Sequence, residues 1–148
     1  MRRLGYFLIA TYWGLQATAL ACDAASDIQR PRVPPQDLAA ARSLKPPLSD
    51  TPEVVGQGRV LYYGKGFCVA CHGREGRGMT DVDTSMLKGA LPTDFTKAEW
   101  QAARTDGELL WILKHGSPGT AMASFVPAVL TEEEAWQVIH FVRSLGRP

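Results

Sequence analysis

A chain of 148 residues, 45% hydrophobic and 21% charged, has material for one modest core, and two full domains would strain the usual domain size. Sixteen Lys and Arg against fifteen Asp and Glu leave a net charge of +1. No basic stripe interleaved with aromatics occurs, which argues against a polyanion binder and against nucleic acid as a partner.

The N-terminus reads as a leader for export. Arg2 and Arg3 form a charged start, Leu4 to Leu20 is apolar apart from Thr11, Gln16 and Thr18, and Ala19-Leu20-Ala21 gives a small-x-small cleavage pattern. Residues 1–21 are therefore expected to be a signal peptide. Its removal changes the charge to 14 − 15 = −1. Two alternatives are an uncleaved anchor, for which the run is only marginally long, and a lipidated Cys22, for which Leu20 sits one residue too late. All three readings export the folded part to the periplasm, as a soluble protein or with membrane attachment through the N-terminus.

Residues 22–52 read as a linker. Pro31, Pro34, Pro35, Pro46, Pro47 and Pro52 interrupt helix, and no apolar periodicity survives between them. Asp37 to Leu44 offers at most two turns of helix, against which extended polyproline-like tether is the expectation. The folded domain is expected at 53–148.

The pattern changes to helix from Glu53, where Val54, Gly58, Leu61 and Tyr62 share one face and Gly58 leaves room for another element. Gly64 and Gly66 break that helix just ahead of Cys68-Val69-Ala70-Cys71-His72. Two thiols at this spacing reach the two vinyl groups on one edge of a haem, and the histidine that follows is held beneath the iron. This is the c-type haem attachment signature. A redox dithiol would need a βαβ context, which is not present. Zinc would need four ligands, and beyond the motif only Cys22, His115 and His140 remain. A structural disulfide leaves His72 without a role.

After the motif, residues 73–106 read mostly as loop with a short helix at Lys97 to Ala103. A helix follows from Asp106 to His115, with Leu109, Ile112 and Leu113 inward and Gly116 as its stop. The last helix opens on Thr131 and three glutamates, a capping box with charge suited to the dipole. Val138, Phe141, Val142 and Leu145 form its core stripe. His140 lies about 200° from Val138 at 100° per residue and so points away from that stripe. His115 reads as a helix end rather than a ligand. Trp100, Trp111 and Trp136 read as packing.

Residues 53–148 resemble a class I cytochrome c domain. The resemblance rests on CVACH with Gly73, on Gly76 and Gly78, and on the glycine-bearing first helix. It extends to Gly119-Thr120-Ala121-Met122 with Phe125 and to the Trp/Phe-rich last helix. It implies an all-α cytochrome c fold, helices packed around one covalently bound haem c, with the first and last helices crossing near Gly58 and Phe141. It also implies cofactor binding by Cys68, Cys71, His72 and Met122, with His72 and Met122 on the iron. Met79 and Met86 are competitors for the sixth position. Arg74, Arg77 and Lys88 are candidate contacts to a haem propionate or a partner, with solvated surface the favoured reading for each, and Thr120 is a candidate support of Met122 or a propionate contact. One departure is Ala123, where the family commonly has proline after the ligand methionine, so the loop has one rigid φ fewer. The implied function is one-electron transfer between a donor and an acceptor redox protein, a carrier without substrate chemistry of its own. The alternative is a haem catalyst or gas-binding sensor with a labile distal ligand.

Overall fold

The computed structural model describes residues 28, 30–79 and 89–147. The leader, Cys22, Met86 and Lys88 lie outside the described residues. The described helices are α1 (Pro35–Ser43), α2 (Pro52–Tyr63), α3 (Val69–His72), α4 (Ala98–Ala103), α5 (Asp106–His115) and α6 (Glu132–Ser144), and no strand occurs among the described residues. None of these helices is long and apolar enough to cross a membrane.

Local chemistry sets the ends of the three main helices. Thr51 caps α2 by accepting from the Val54 N–H, and Pro52 occupies the first turn, where its missing N–H costs nothing. Thr105 with Glu108, and Thr131 with Glu134, form reciprocal capping boxes at α5 and α6. Glycines at 64 and 116 end α2 and α5.

The frame is the crossing of α2 over α6. A Cβ at Gly58 would lie 1.9 Å from the Gln137 carbonyl oxygen and 3.0 Å from the Phe141 Cβ, so only glycine lets the two backbones touch. Tyr62, one turn later, packs edge-on against Phe141 at 5.1 Å between centroids. The expected crossing point is therefore present. Around it Leu110, Leu130, Ala135, Trp136 and Ile139 form the buried core.

Arg143 ties α6 to the loop side of the molecule. Its Nε donates to Asp106 Oδ1 at 2.6 Å, Nη1 to the Gln101 carbonyl and Oε1 at 2.8 Å each, and Nη2 to the Arg104 carbonyl at 2.5 Å. One buried-stem guanidinium thus fixes α4 and α5 to the last helix.

The structure departs from the expected linker. Residues 35–43 form α1, which packs on α5, and Val33 and Ala41 are each only 3% exposed. Proline at the first turn starts a helix as readily as it breaks one, and Ala39–Ala41 has strong intrinsic helix propensity. What anchors α1 is long-range: Gly107 lies so close that a Cβ there would sit 1.9 Å from the Ala41 carbonyl oxygen. Arg42 also reaches the buried Glu108 at 3.4 Å.

A second departure concerns His140, which is 7% exposed, with Nδ1 3.5 Å from Asp50 Oδ1. It does lie off the Val138 stripe. The stretch around Leu48 and Asp50, ahead of the domain, covers that flank, and helical periodicity alone carries no information about such a cover.

Gly107→Ala should separate α1 from α5. The added methyl gains up to about 1 kcal/mol in helix propensity but meets a backbone carbonyl that cannot rotate aside. We expect tryptic cleavage after Arg42 to accelerate at least tenfold while the α2–α6 core remains folded by circular dichroism. Unchanged cleavage would refute the docked position of α1.

Candidate functional site

The cysteine motif is held by the turn that links α2 to α3. Phe67 adopts a left-handed φ of 48°, uncommon for a bulky residue. The turn is closed by Gly66 N–H to the Leu61 carbonyl at 2.8 Å and Phe67 N–H to the Gly64 carbonyl at 2.9 Å. A single helical turn follows, with the His72 N–H donating to the Cys68 carbonyl at 2.9 Å. Gly73, at φ 74°, ends it. The buried Tyr62 hydroxyl donates to the Gly73 carbonyl at 2.9 Å, pinning the motif to α2.

Cys68, Cys71 and His72 line a cavity of about 360 Å³. Both cysteines are free thiols; Cys68 is half-buried and Cys71 is exposed. Burial pushes the Cys68 thiol up to about 11. His72 has Nδ1 3.3 Å from the Thr93 carbonyl. Because a carbonyl only accepts, Nδ1 carries the proton and Nε2 keeps its lone pair for a metal. The ring stacks on Phe95 at 4.3 Å and 22°. Burial lowers the imidazole pKa, which favours the neutral, ligating form.

Met122 lines the same cavity. Its loop is closed by four hydrogen bonds. The Ser117 N–H donates to the Met122 carbonyl at 2.9 Å, the Met122 N–H to Thr120 Oγ1 at 3.1 Å, and both the Thr120 N–H and hydroxyl to the Ser117 carbonyl at 3.1 and 2.9 Å. Gly116 completes the turn at φ 79°, where a Cβ would come within 2.7 Å of the Met122 carbonyl oxygen. The restraint that Ala123 does not provide is thus supplied by Thr120 and Ser117. Of the two readings of Thr120, support of Met122 or a propionate contact, the structure shows the first: its hydroxyl accepts from the Met122 N–H.

The remaining candidates separate cleanly. Met79 is described and does not line the cavity. His115 is exposed, with Nδ1 2.9 Å from the Trp111 carbonyl and its ring stacked on Trp111 at 4.4 Å. His140 sits beside Asp50, away from the cavity. Arg74 lies over the Tyr63 ring at 5.6 Å, and Arg77 pairs with Glu75 at 3.0 Å on the surface. Trp100 is a cavity wall, 5.0 Å from Phe95. Missed from the sequence were Thr93 and Phe95, which orient His72, and two cavity-lining arginines, Arg32 and Arg104. Nothing in the local pattern around 93–95 marks a carbonyl as an imidazole partner; the contact exists only through space.

The cavity has the donor set a haem needs: two unpaired thiols three positions apart, a neutral imidazole and a thioether, among walls such as Leu109, Leu113 and Ile139. The cytochrome c family matches residues 55–146. The chain belongs to the cytochrome c family. The cytochrome accordingly carries covalently bound haem c with iron, has the all-α fold of that family, and serves haem electron transfer. Among solved structures it resembles a chain of the Kuenenia stuttgartiensis reducing HAO-like protein complex Kustc0457/Kustc0458. That match has 30% identity and a TM-score of 0.58, over 68% of this chain and 47% of that one. The cytochrome therefore spans about half the length of that neighbour. It also resembles the c-type cytochrome KustC0563, at 32% identity and a TM-score of 0.49, over 61% of this chain and 98% of that one. No curated protein matches it.

Proposed function

We propose that this cytochrome is an exported, periplasmic one-electron carrier with a single haem held by Cys68 and Cys71, and with His72 and Met122 as axial ligands. The observation that supports it is that the CVACH turn and Met122, 50 residues apart (122 − 72), line one cavity. Cys68 and Cys71 would each add across a vinyl group, the new C–S bond being balanced by passage of the thiol hydrogen to the neighbouring vinyl carbon, so that nothing would leave. The Thr93 carbonyl orients the imidazole, and the Ser117–Thr120–Met122 bonds hold the Met122 backbone in place. The iron supplies one-electron redox chemistry. The chain raises its potential through thioether ligation and apolar walls, both of which favour the ferrous state.

The braced Met122 loop favours filled axial positions, hence outer-sphere transfer, over a catalyst or sensor with an open site. Phe67 and Leu91 line the cavity and are 68% and 55% exposed, beside exposed Ala121 and Ala123. This is the edge through which donor and acceptor proteins would exchange electrons in small, transient contacts. Membership of a larger redox assembly, as for the HAO-like neighbour, is compatible with such an edge.

One preparation tests attachment and export together. After acid–acetone treatment the haem should stay on the polypeptide, and the intact mass should equal the chain from Cys22 plus one haem. Pigment in the acetone would overturn attachment. A retained leader, or a diacylglyceryl mass on Cys22, would overturn the cleaved, soluble form alone.

A further inference from the structure

The cytochrome c domain begins at residue 55, yet Ile28 and Arg32 line the cavity. They belong to a segment that crosses the face of the domain and is anchored along its length. Val33 and Ala41 are buried, Gly107 admits the Ala41 carbonyl, and Asp50 pairs with Arg147. At the cavity end the anchor is Arg104, itself only 5% exposed. Its Nη2 donates to the Arg30 carbonyl at 2.6 Å and its Nη1 to the Ala103 carbonyl at 3.2 Å. Arg104 therefore grips the chain two residues before Arg32, and both arginines line the cavity.

A haem brings two carboxylates into its site. Burying a carboxylate costs several kcal/mol unless it is paired and hydrogen-bonded, and arginine offers the planar fork that fits it. Among the described residues, the cavity is lined by two formally charged side chains besides Arg32 and Arg104, namely Asp94 and Lys97. Asp94 Oδ1 already accepts from the Thr96 N–H at 2.9 Å and the Thr96 hydroxyl at 2.7 Å, and its charge would repel a carboxylate. Lys97 is exposed. The remaining titratable groups on the wall, among the described residues, are Tyr62 and the attachment residues Cys68, Cys71 and His72.

We propose that Ile28 and residues 30–50 form a strap that completes the haem pocket, and that Arg32 on the strap and Arg104, which holds the strap at Arg30, receive the haem carboxylates. The proposal rests on the reading that Cys68 and Cys71 hold a haem in this cavity. It gives the segment ahead of the domain a function: it carries a charge that sets the redox potential. A carboxylate near the iron favours ferric haem, and an arginine that pairs with it offsets that preference. The strap therefore raises the potential.

The test uses the full-length holoprotein and its midpoint potential measured by spectroelectrochemistry at several pH values. Arg32→Gln should bind haem normally and keep the visible spectrum of the parent. At fixed ambient potential its ratio of reduced to oxidised protein should fall about threefold or more, roughly 30 mV for one electron at 59 mV per tenfold. Its potential should also acquire a pH dependence, as the released carboxylate titrates in a range the parent does not show. Arg32→Lys should recover most of the shift, because the charge is kept. Arg104→Gln should shift the potential in the same direction; should it fail to fold, Arg32→Gln still decides. Lys97→Gln is the control and should move the potential less. A potential and pH profile unchanged in Arg32→Gln, or a larger shift in Lys97→Gln, would overturn the proposal. A parent protein without covalent haem would instead overturn the reading on which it rests.

Discussion

Met122→Ala should abolish the weak red absorption band that an iron–thioether bond gives ferric haem c. It should also lower the reduction potential by on the order of 100 mV, a part of the roughly 0.8 V over which axial ligands set haem potentials. On the proposed ligation, removing the sulfur removes the ligand that favours ferrous iron and leaves a coordination position open. The reduced variant should then bind carbon monoxide tightly, where the parent binds it poorly. Met79→Ala should leave the band in place, because Met79 does not line the cavity. Thr120→Val provides the graded case. It removes the hydroxyl that accepts from the Met122 N–H and donates to the Ser117 carbonyl. At about 1 kcal/mol for a net hydrogen bond, the population with sulfur released should rise roughly fivefold. The band should accordingly vanish at lower temperature. Persistence of the band in Met122→Ala would refute the ligand assignment, whereas an unchanged Thr120→Val would refute only the role of the loop bonds.

Gly58→Ala is expected to be among the most damaging single-methyl changes in the molecule. In an exposed helix it would gain about 1 kcal/mol. Here the new Cβ would lie 1.9 Å from the Gln137 carbonyl oxygen, 2.5 Å from its carbon and 3.0 Å from the Phe141 Cβ. Two of those atoms are backbone in the middle of α6, so relief requires the helices to separate. Overpacking costs about 1–3 kcal/mol, occasionally more, and separation also loosens the Tyr62–Phe141 contact. We expect a net loss of about 2 kcal/mol and a fall of roughly 10 °C in the melting temperature of the holoprotein. Gly56→Ala, with nothing within 4 Å of its added Cβ, should be neutral or slightly stabilising. Equal behaviour of the two variants in a thermal melt would refute the close crossing.

The two glycines show where sequence reading works and where it stops. Gly58 is legible as a contact point because it sits on the apolar face with Val54, Leu61 and Tyr62, and a small residue on a buried face implies close approach. Gly107 carries the same geometry against α1, but it lies in the first turn of α5 beside charged residues and gives no such signal. Its partner helix was equally quiet. α1 is nine residues long with little amphipathic pattern, has several prolines around it, and buries a single residue, Ala41. Periodicity detects an amphipathic stripe, and a helix that docks through one alanine and one arginine has none to detect.

What the sequence by itself determined is chemistry set by neighbours in the chain. The spacing of Cys68, Cys71 and His72, the Thr51, Thr105 and Thr131 caps, and the glycine stops depend on residues within a few positions of one another. The same holds for the bonds that close the Met122 loop, once the loop is known to turn. What only the tertiary structure decided is which distant groups meet. Thr93 reaches His72 across 21 residues, Arg104 reaches Arg30 across 74, and Asp50 lies beside His140. Those contacts turn a proline-rich approach into a wall of the cavity. The physical reason is that a hydrogen bond or ion pair between distant residues is stabilised by the packing that brings them together, and that packing is a property of the assembled core rather than of either segment.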